Sequence, residues 1–82
     1  MHACGHDTHV AILLATAKVL SEMRAQLPGS VTFIFQPAEE GAPLDERPAG
    51  AELMVKEGAM KGVDAVFGLH VFANVPAGTI TY

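Results

Sequence analysis

Within eight residues, His2-Ala3-Cys4-Gly5-His6-Asp7-Thr8-His9, the chain places three imidazoles, one thiol and one carboxylate. Imidazole and thiolate are the side chains that borderline-soft divalent ions prefer. Cys4 and His6 stand two residues apart, and Gly5 between them lets the backbone bend closely around an ion. The spacing is shorter than that of a zinc-finger knuckle. On spacing alone two readings stay open: a metal pair, or a buried Cys beside a helix-capping turn. Asp7 either caps the helix or orients a ligating imidazole. His2 and His9 receive no metal role; His9 could contact substrate or face solvent.

Two further features carry chemistry. Glu39-Glu40 is a carboxylate pair in the otherwise apolar setting Phe35-Gln36-Pro37-Ala38 and Gly41-Ala42. In extended chain adjacent side chains point to opposite sides, so one could bind an ion while the other faces a bound water. A solvated loop pair is the plainer alternative, because exposed Glu is common. His70 lies in the apolar run Ala65 to Phe72, where a lone His is usually a satisfied interior group.

The elements that must position these groups are legible from patterning. Asp7 or Thr8 is expected to cap a helix running to about Gln26. In it Val10, Leu13, Leu14, Ala17 and Leu20 recur at helical spacing, and Pro28-Gly29 ends it. Thr16, Glu22, Arg24 and Gln26 are left for water. Val31 to Gln36, Asp64 to Val71 and Thr79 to Tyr82 read as strands, the first two buried. Pro37 to Pro48 is a loop. Ala49 to Glu57 suits a short helix, with Glu52 four residues before Lys56 and Gly58 as its stop.

The order helix, strand, helix, strand implies an α/β fold, a βαβ unit with a largely parallel sheet. Open α/β sheets hold ligands at the carboxyl edge of their strands, beside helix N-termini. Cys4 and His6 precede the first helix, Glu39-Glu40 follow the first strand, and His70 is near the end of the second. All could therefore converge on one edge.

Composition narrows the function classes. Net charge is −4, with no basic cluster, which argues against nucleic acid or an anionic membrane as partner. The longest apolar run, Val10 to Ala15, is far below the roughly 18 residues of a membrane span. Cys4 is the only cysteine, so no internal disulfide forms; this fits a reducing, cytoplasmic setting or a metal or catalytic use. Eighty-two residues would bury about 60–65% of their unfolded surface. Chemistry that begins at residue 2 suggests an internal fragment, with Met1 an internal residue.

Three blocks taken in order carry a resemblance. They are His2-Ala3-Cys4-Gly5-His6-Asp7-Thr8-His9, then Phe35-Gln36-Pro37-Ala38-Glu39-Glu40-Gly41, then Gly68-Leu69-His70-Val71. Together they resemble the metal-dependent amidohydrolases: hippurate hydrolase, the N-acyl-amino-acid amidohydrolases and the auxin-conjugate hydrolases, within the aminoacylase-type metallopeptidases. The resemblance implies a three-layer αβα catalytic domain, of which residues 1–82 are part. It also implies two divalent ions per full-length chain, manganese, zinc, cobalt or nickel. Cys4, which can bridge both ions, His6, Glu40 and His70 would match metal ligands, and Glu39 the catalytic carboxylate.

The implied reaction is hydrolysis of the amide of an N-acyl amino acid, hippurate-like, by an activated water. A further histidine ligand, an upstream strand and a smaller lid or dimerisation domain have no counterpart in these residues. This piece alone is therefore expected to be inactive, and a homo-oligomeric parent stays open. The alternative reading is a non-catalytic metal-binding or redox-responsive module, with Cys4 as a low-pKa thiol at a helix N-terminus.

Overall fold

The structure, a computed structural model, describes residues 3–82. Two units are present. One comprises residues 3–29 with Phe67–Tyr82, the other Ser30–Val66.

The first unit is built on helix α1, His6–Glu22. Its interior is rich in Ala and Leu, the strongest helix formers. The chain enters through Gly5, held at φ 89°, ψ 19°, a left-handed conformation that favours glycine. Gly5, not Asp7 or Thr8, is therefore the N-cap. The Gly5 carbonyl accepts bonds from the Thr8 amide (3.0 Å), the Thr8 hydroxyl (2.6 Å) and the His9 amide (3.4 Å). Asp7 falls in the first turn, where a negative charge meets the positive end of the helix dipole.

Thr16 is exposed, as expected, and its hydroxyl donates back to the Ile12 carbonyl at 2.8 Å. His9, Leu13, Ala17 and Leu20 form the half-buried stripe of α1. Val10 and Leu14, expected on that face, lie to its side at 46% and 57% exposure. Beyond Glu22 the helix tightens into a 3₁₀ turn at Arg24–Gln26. Leu27 is extended (φ −83°, ψ 126°), as the residue before Pro28 must tend to be.

In the second unit helix α2 spans Gly50–Lys56. Its end is a Schellman motif: the Ala59 amide bonds the Met54 carbonyl (2.9 Å) and the Gly58 amide the Val55 carbonyl (3.0 Å). Gly58 sits at φ 95°, which explains why glycine stops the helix there. Lys56 pairs with Glu52 one turn back at 2.8 Å. The loop before α2 contains a 3₁₀ turn at Leu44–Glu46.

Among the described residues no strand ladder forms; 31–36, 64–71 and 79–82 carry no regular structure. A strand exists only through a partner's hydrogen bonds, and small ladders without cover are marginal in water. Cover is what these segments lack. No apolar side chain among the described residues is fully buried, and Phe67 is 95% and Ile80 91% exposed. The accessible surface is 7377 Å². An unfolded chain of this size exposes about 12,500 Å², so only about 40% is buried instead of the about 60–65% expected of a self-sufficient domain. Among the described residues no helix is long and apolar enough to cross a membrane.

Candidate metal centre

Cys4 and His6 flank the left-handed Gly5, one just before α1 and the other its first residue. The bend brings the Cys4 Sγ and a ring nitrogen of His6 within 4.8 Å of each other. Thiolate and imidazole donors on one tetrahedral zinc lie about 3.6 Å apart, from bond lengths of about 2.3 and 2.0–2.1 Å. At most about 1 Å of side-chain movement separates the pair from that spacing. The pair fits a shared divalent ion in donor chemistry and in reach. Gly5 itself is enclosed, because a Cβ there would meet the Val71 methyl at 3.1 Å.

Val71 belongs to the segment that carries His70. The His70 Nδ1 lies 2.7 Å from the Val71 carbonyl. A carbonyl only accepts, so Nδ1 holds a proton, and in the neutral ring Nε2 then keeps its lone pair. That is the tautomer a metal-ligating histidine needs. One face of the ring stacks on Phe72 (centroids 4.5 Å apart, planes 23°). No grouping of three close donor atoms among the described residues includes His70.

His9, which the sequence left without a metal role, also enters this neighbourhood. Its ring meets His70 edge-on at 5.0 Å and 63°, and lies 6.4 Å from the ring of His6. Helical spacing could have found it, because position 9 shares a face with Leu13 and Ala17. His2 lies outside the described residues.

The second unit holds the carboxylate pair. Glu39 and Glu40 are the two corner residues of a turn closed by the Gly41 amide on the Ala38 carbonyl (3.2 Å). The extended geometry expected for them is thus replaced by a tight turn, entered through Ala38 at φ 49°. Gly50, the first residue of α2, backs this turn. A Cβ on Gly50 would lie 2.8 Å from the Ala38 carbonyl oxygen and 3.1 Å from that of Pro37. Glycine at 50 is therefore a packing requirement for the loop that presents Glu39.

Glu39 also lines a half-open cavity of about 200 Å³ with Gln36, Arg47, Glu52 and small side chains. Arg47 is tied to that wall by its Nε, which donates to the Ala42 carbonyl at 3.1 Å. The Lys56 hydrogen bond and charge hold the Glu52 carboxyl below the usual carboxylate range, with a smaller contribution from Arg47.

The whole chain, residues 1–82, matches Peptidase family M20/M25/M40. It is 54% identical over 78 residues to IAA-amino acid hydrolase ILR1-like 2 of Arabidopsis thaliana, covering 95% of this chain and 16% of that protein. It is 50% identical over 80 residues to N-acetylcysteine deacetylase of Bacillus subtilis, covering 98% of this chain and 20% of that protein. It is 49% identical over 80 residues to N-acyl-L-amino acid amidohydrolase of Geobacillus stearothermophilus, again 98% and 20%. The chain therefore spans less than a quarter of the length of these relatives. No solved structure is a significant match to it. The three motif blocks, the Cys4–His6 pair and these identities converge: the chain belongs to Peptidase family M20/M25/M40.

Proposed function

We propose that the whole protein is a metal-dependent amidohydrolase acting on N-acyl amino acids, and that this chain supplies much of its catalytic centre. The observation that carries the reading is the Cys4–Gly5–His6 bend, which sets a thiol and an imidazole within reach of one ion. Relatives named for deacetylation and for N-acyl-amino-acid hydrolysis support the substrate class. Hippurate-like amides and auxin conjugates are the substrates to try first.

Cys4, His6, Glu40 and His70 are the proposed ligands of two divalent ions. When bound, such ions activate water and polarise the amide carbonyl. Glu39 takes the proton of the attacking water and delivers it to the departing amine, giving a carboxylic acid and a free amino acid. Phe72 and the Val71 carbonyl hold the His70 ring and occupy its Nδ1, which leaves Nε2 as the nitrogen offered to an ion. The proposed scaffold is a three-layer αβα domain. There the segments 31–36 and 64–71 become strands once neighbouring strands and helices cover their apolar faces.

The experiment is Glu39→Gln in the whole protein. The amide is isosteric but cannot accept the proton, so turnover should fall by about 10²–10⁴-fold, the range of general acid–base catalysis. Bound metal, measured by elemental analysis, should be unchanged. Full activity in the variant would remove Glu39 from the mechanism. Loss of metal together with activity would make it a ligand instead.

A further inference from the structure

We propose that His9 is a positioning residue: its ring locks the His70 ring to helix α1, and so fixes the spacing between His70 and His6. The proposal rests on the reading of His6 and His70 as metal ligands.

Among the described residues three groups constrain the His70 ring. The Val71 carbonyl holds Nδ1 at 2.7 Å and Phe72 stacks on one face at 4.5 Å. Both lie within two residues of His70 on its own loop, so they travel with it; that loop also meets Gly5 through the Val71 methyl, a contact of the backbone segment and not of the His70 ring. His9 is the third group, and it comes from a different element. It sits on the half-buried stripe of α1, three residues after His6, and meets His70 edge-on at 5.0 Å. His9 thus joins the helix that begins at His6 to the loop that carries His70.

The contact works through the ring rather than through a polar bond. The His9 Nε2 is closed off from solvent and makes no hydrogen bond among the described residues. A buried imidazole nitrogen without a partner is a cost, tolerated where the ring is held by packing. Edge-on aromatic pairs are favourable and directional, which suits a part whose task is orientation. The proposed role is contact through the ring and not ligation, because the Nε2 is closed off.

The test uses the whole protein with His9→Phe, His9→Ala and His9→Gln. Cobalt(II) is the probe, and the readouts are ions bound per chain after dialysis and the visible spectrum of the cobalt form. With His9→Ala, one of the two ions should bind about 10–100-fold more weakly, the range typical of lost orienting partners. Its cobalt spectrum should broaden. For hydrolysis of an N-acyl amino acid, kcat at limiting metal should fall, excess ion should restore it, and KM should not move.

His9→Phe keeps the ring and removes the nitrogen, so it should bind both ions as the unsubstituted protein does. Wild-type metal binding by His9→Ala would overturn the proposal. So would a defect in His9→Phe that His9→Gln repairs, because the nitrogen and not the ring would then matter. Should the unsubstituted protein bind no ions, the ligand reading itself fails, and the two failures are distinguishable.

Discussion

Replacing Gly50 by Ala tests how the carboxylate turn is positioned. The added Cβ would sit 2.8 Å from the Ala38 carbonyl oxygen and 3.1 Å from that of Pro37. Carbon and carbonyl oxygen rest at about 3.4 Å, so the turn must retreat by about 0.6 Å. Both obstacles are backbone, and neither can swing aside as a side-chain tip would. Gly50 also sits at φ 55°, where any Cβ adds about 1–2 kcal/mol of strain. Overpacking adds about 1–3 kcal/mol. The sum is a loss of roughly 2–5 kcal/mol, enough to unfold α2 locally or to push residues 37–41 outward.

Glu39 follows Ala38 directly, so its carboxylate would move with the displaced carbonyl. A 1 Å misplacement can cost about 10²-fold in rate, and half of that shift about tenfold. The assay is kcat and KM of the whole protein on an N-acyl amino acid, with a thermal melt. The expected result is a lowered Tm and a kcat reduced by about tenfold with KM little changed. Gly29→Ala is the control, because nothing lies within 4 Å of its Cβ position and its backbone is unstrained. Wild-type Tm and kcat in Gly50→Ala would refute the packing argument.

Other perturbations address the remaining parts. Cys4→Ser should weaken binding of a soft-leaning ion such as zinc by at least about tenfold and abolish the thiolate charge-transfer band of the cobalt form; an unchanged band would exclude Cys4 as a ligand. Glu52 is held below its ordinary value of 4.5 by Lys56. Its pairing therefore supports α2 fully above the ordinary value, and that support fades as pH falls through the lowered one. Amide protection factors for residues 53–57 should drop on acidification below about 4.5, and Lys56→Met should flatten that dependence. An identical pH profile in the variant would show that the pair contributes nothing.

Local elements were legible in the sequence where a local cause exists. The Ala- and Leu-rich pattern of α1 and the Gly58 stop of α2 depend only on near neighbours, and both elements formed within a residue or a turn of expectation. The N-cap was misplaced because Asp and Thr are strong capping types, whereas Gly5 acts through a left-handed backbone that composition does not display. The carboxylate pair was recognisable, but its turn was not. That turn depends on Ala38 at positive φ and on Gly50, nine residues beyond its closing residue Gly41. His9 was recognised as chemically able, yet its partner His70 is sixty-one positions away, and no local pattern encodes that contact. The expected strands are the reverse case: β-branched runs prompt the expectation, but a ladder requires partners and cover, and none forms among the described residues.

We propose that the whole protein is a metal-dependent amidohydrolase to which this chain contributes ligands. The most direct measurement is release of free amino acid from an N-acyl amino acid by the whole protein, before chelation, after it, and after a divalent ion is restored. The account predicts release that chelation abolishes and added ion recovers. Absence of release in the metal-loaded protein, or release indifferent to chelation, would contradict it.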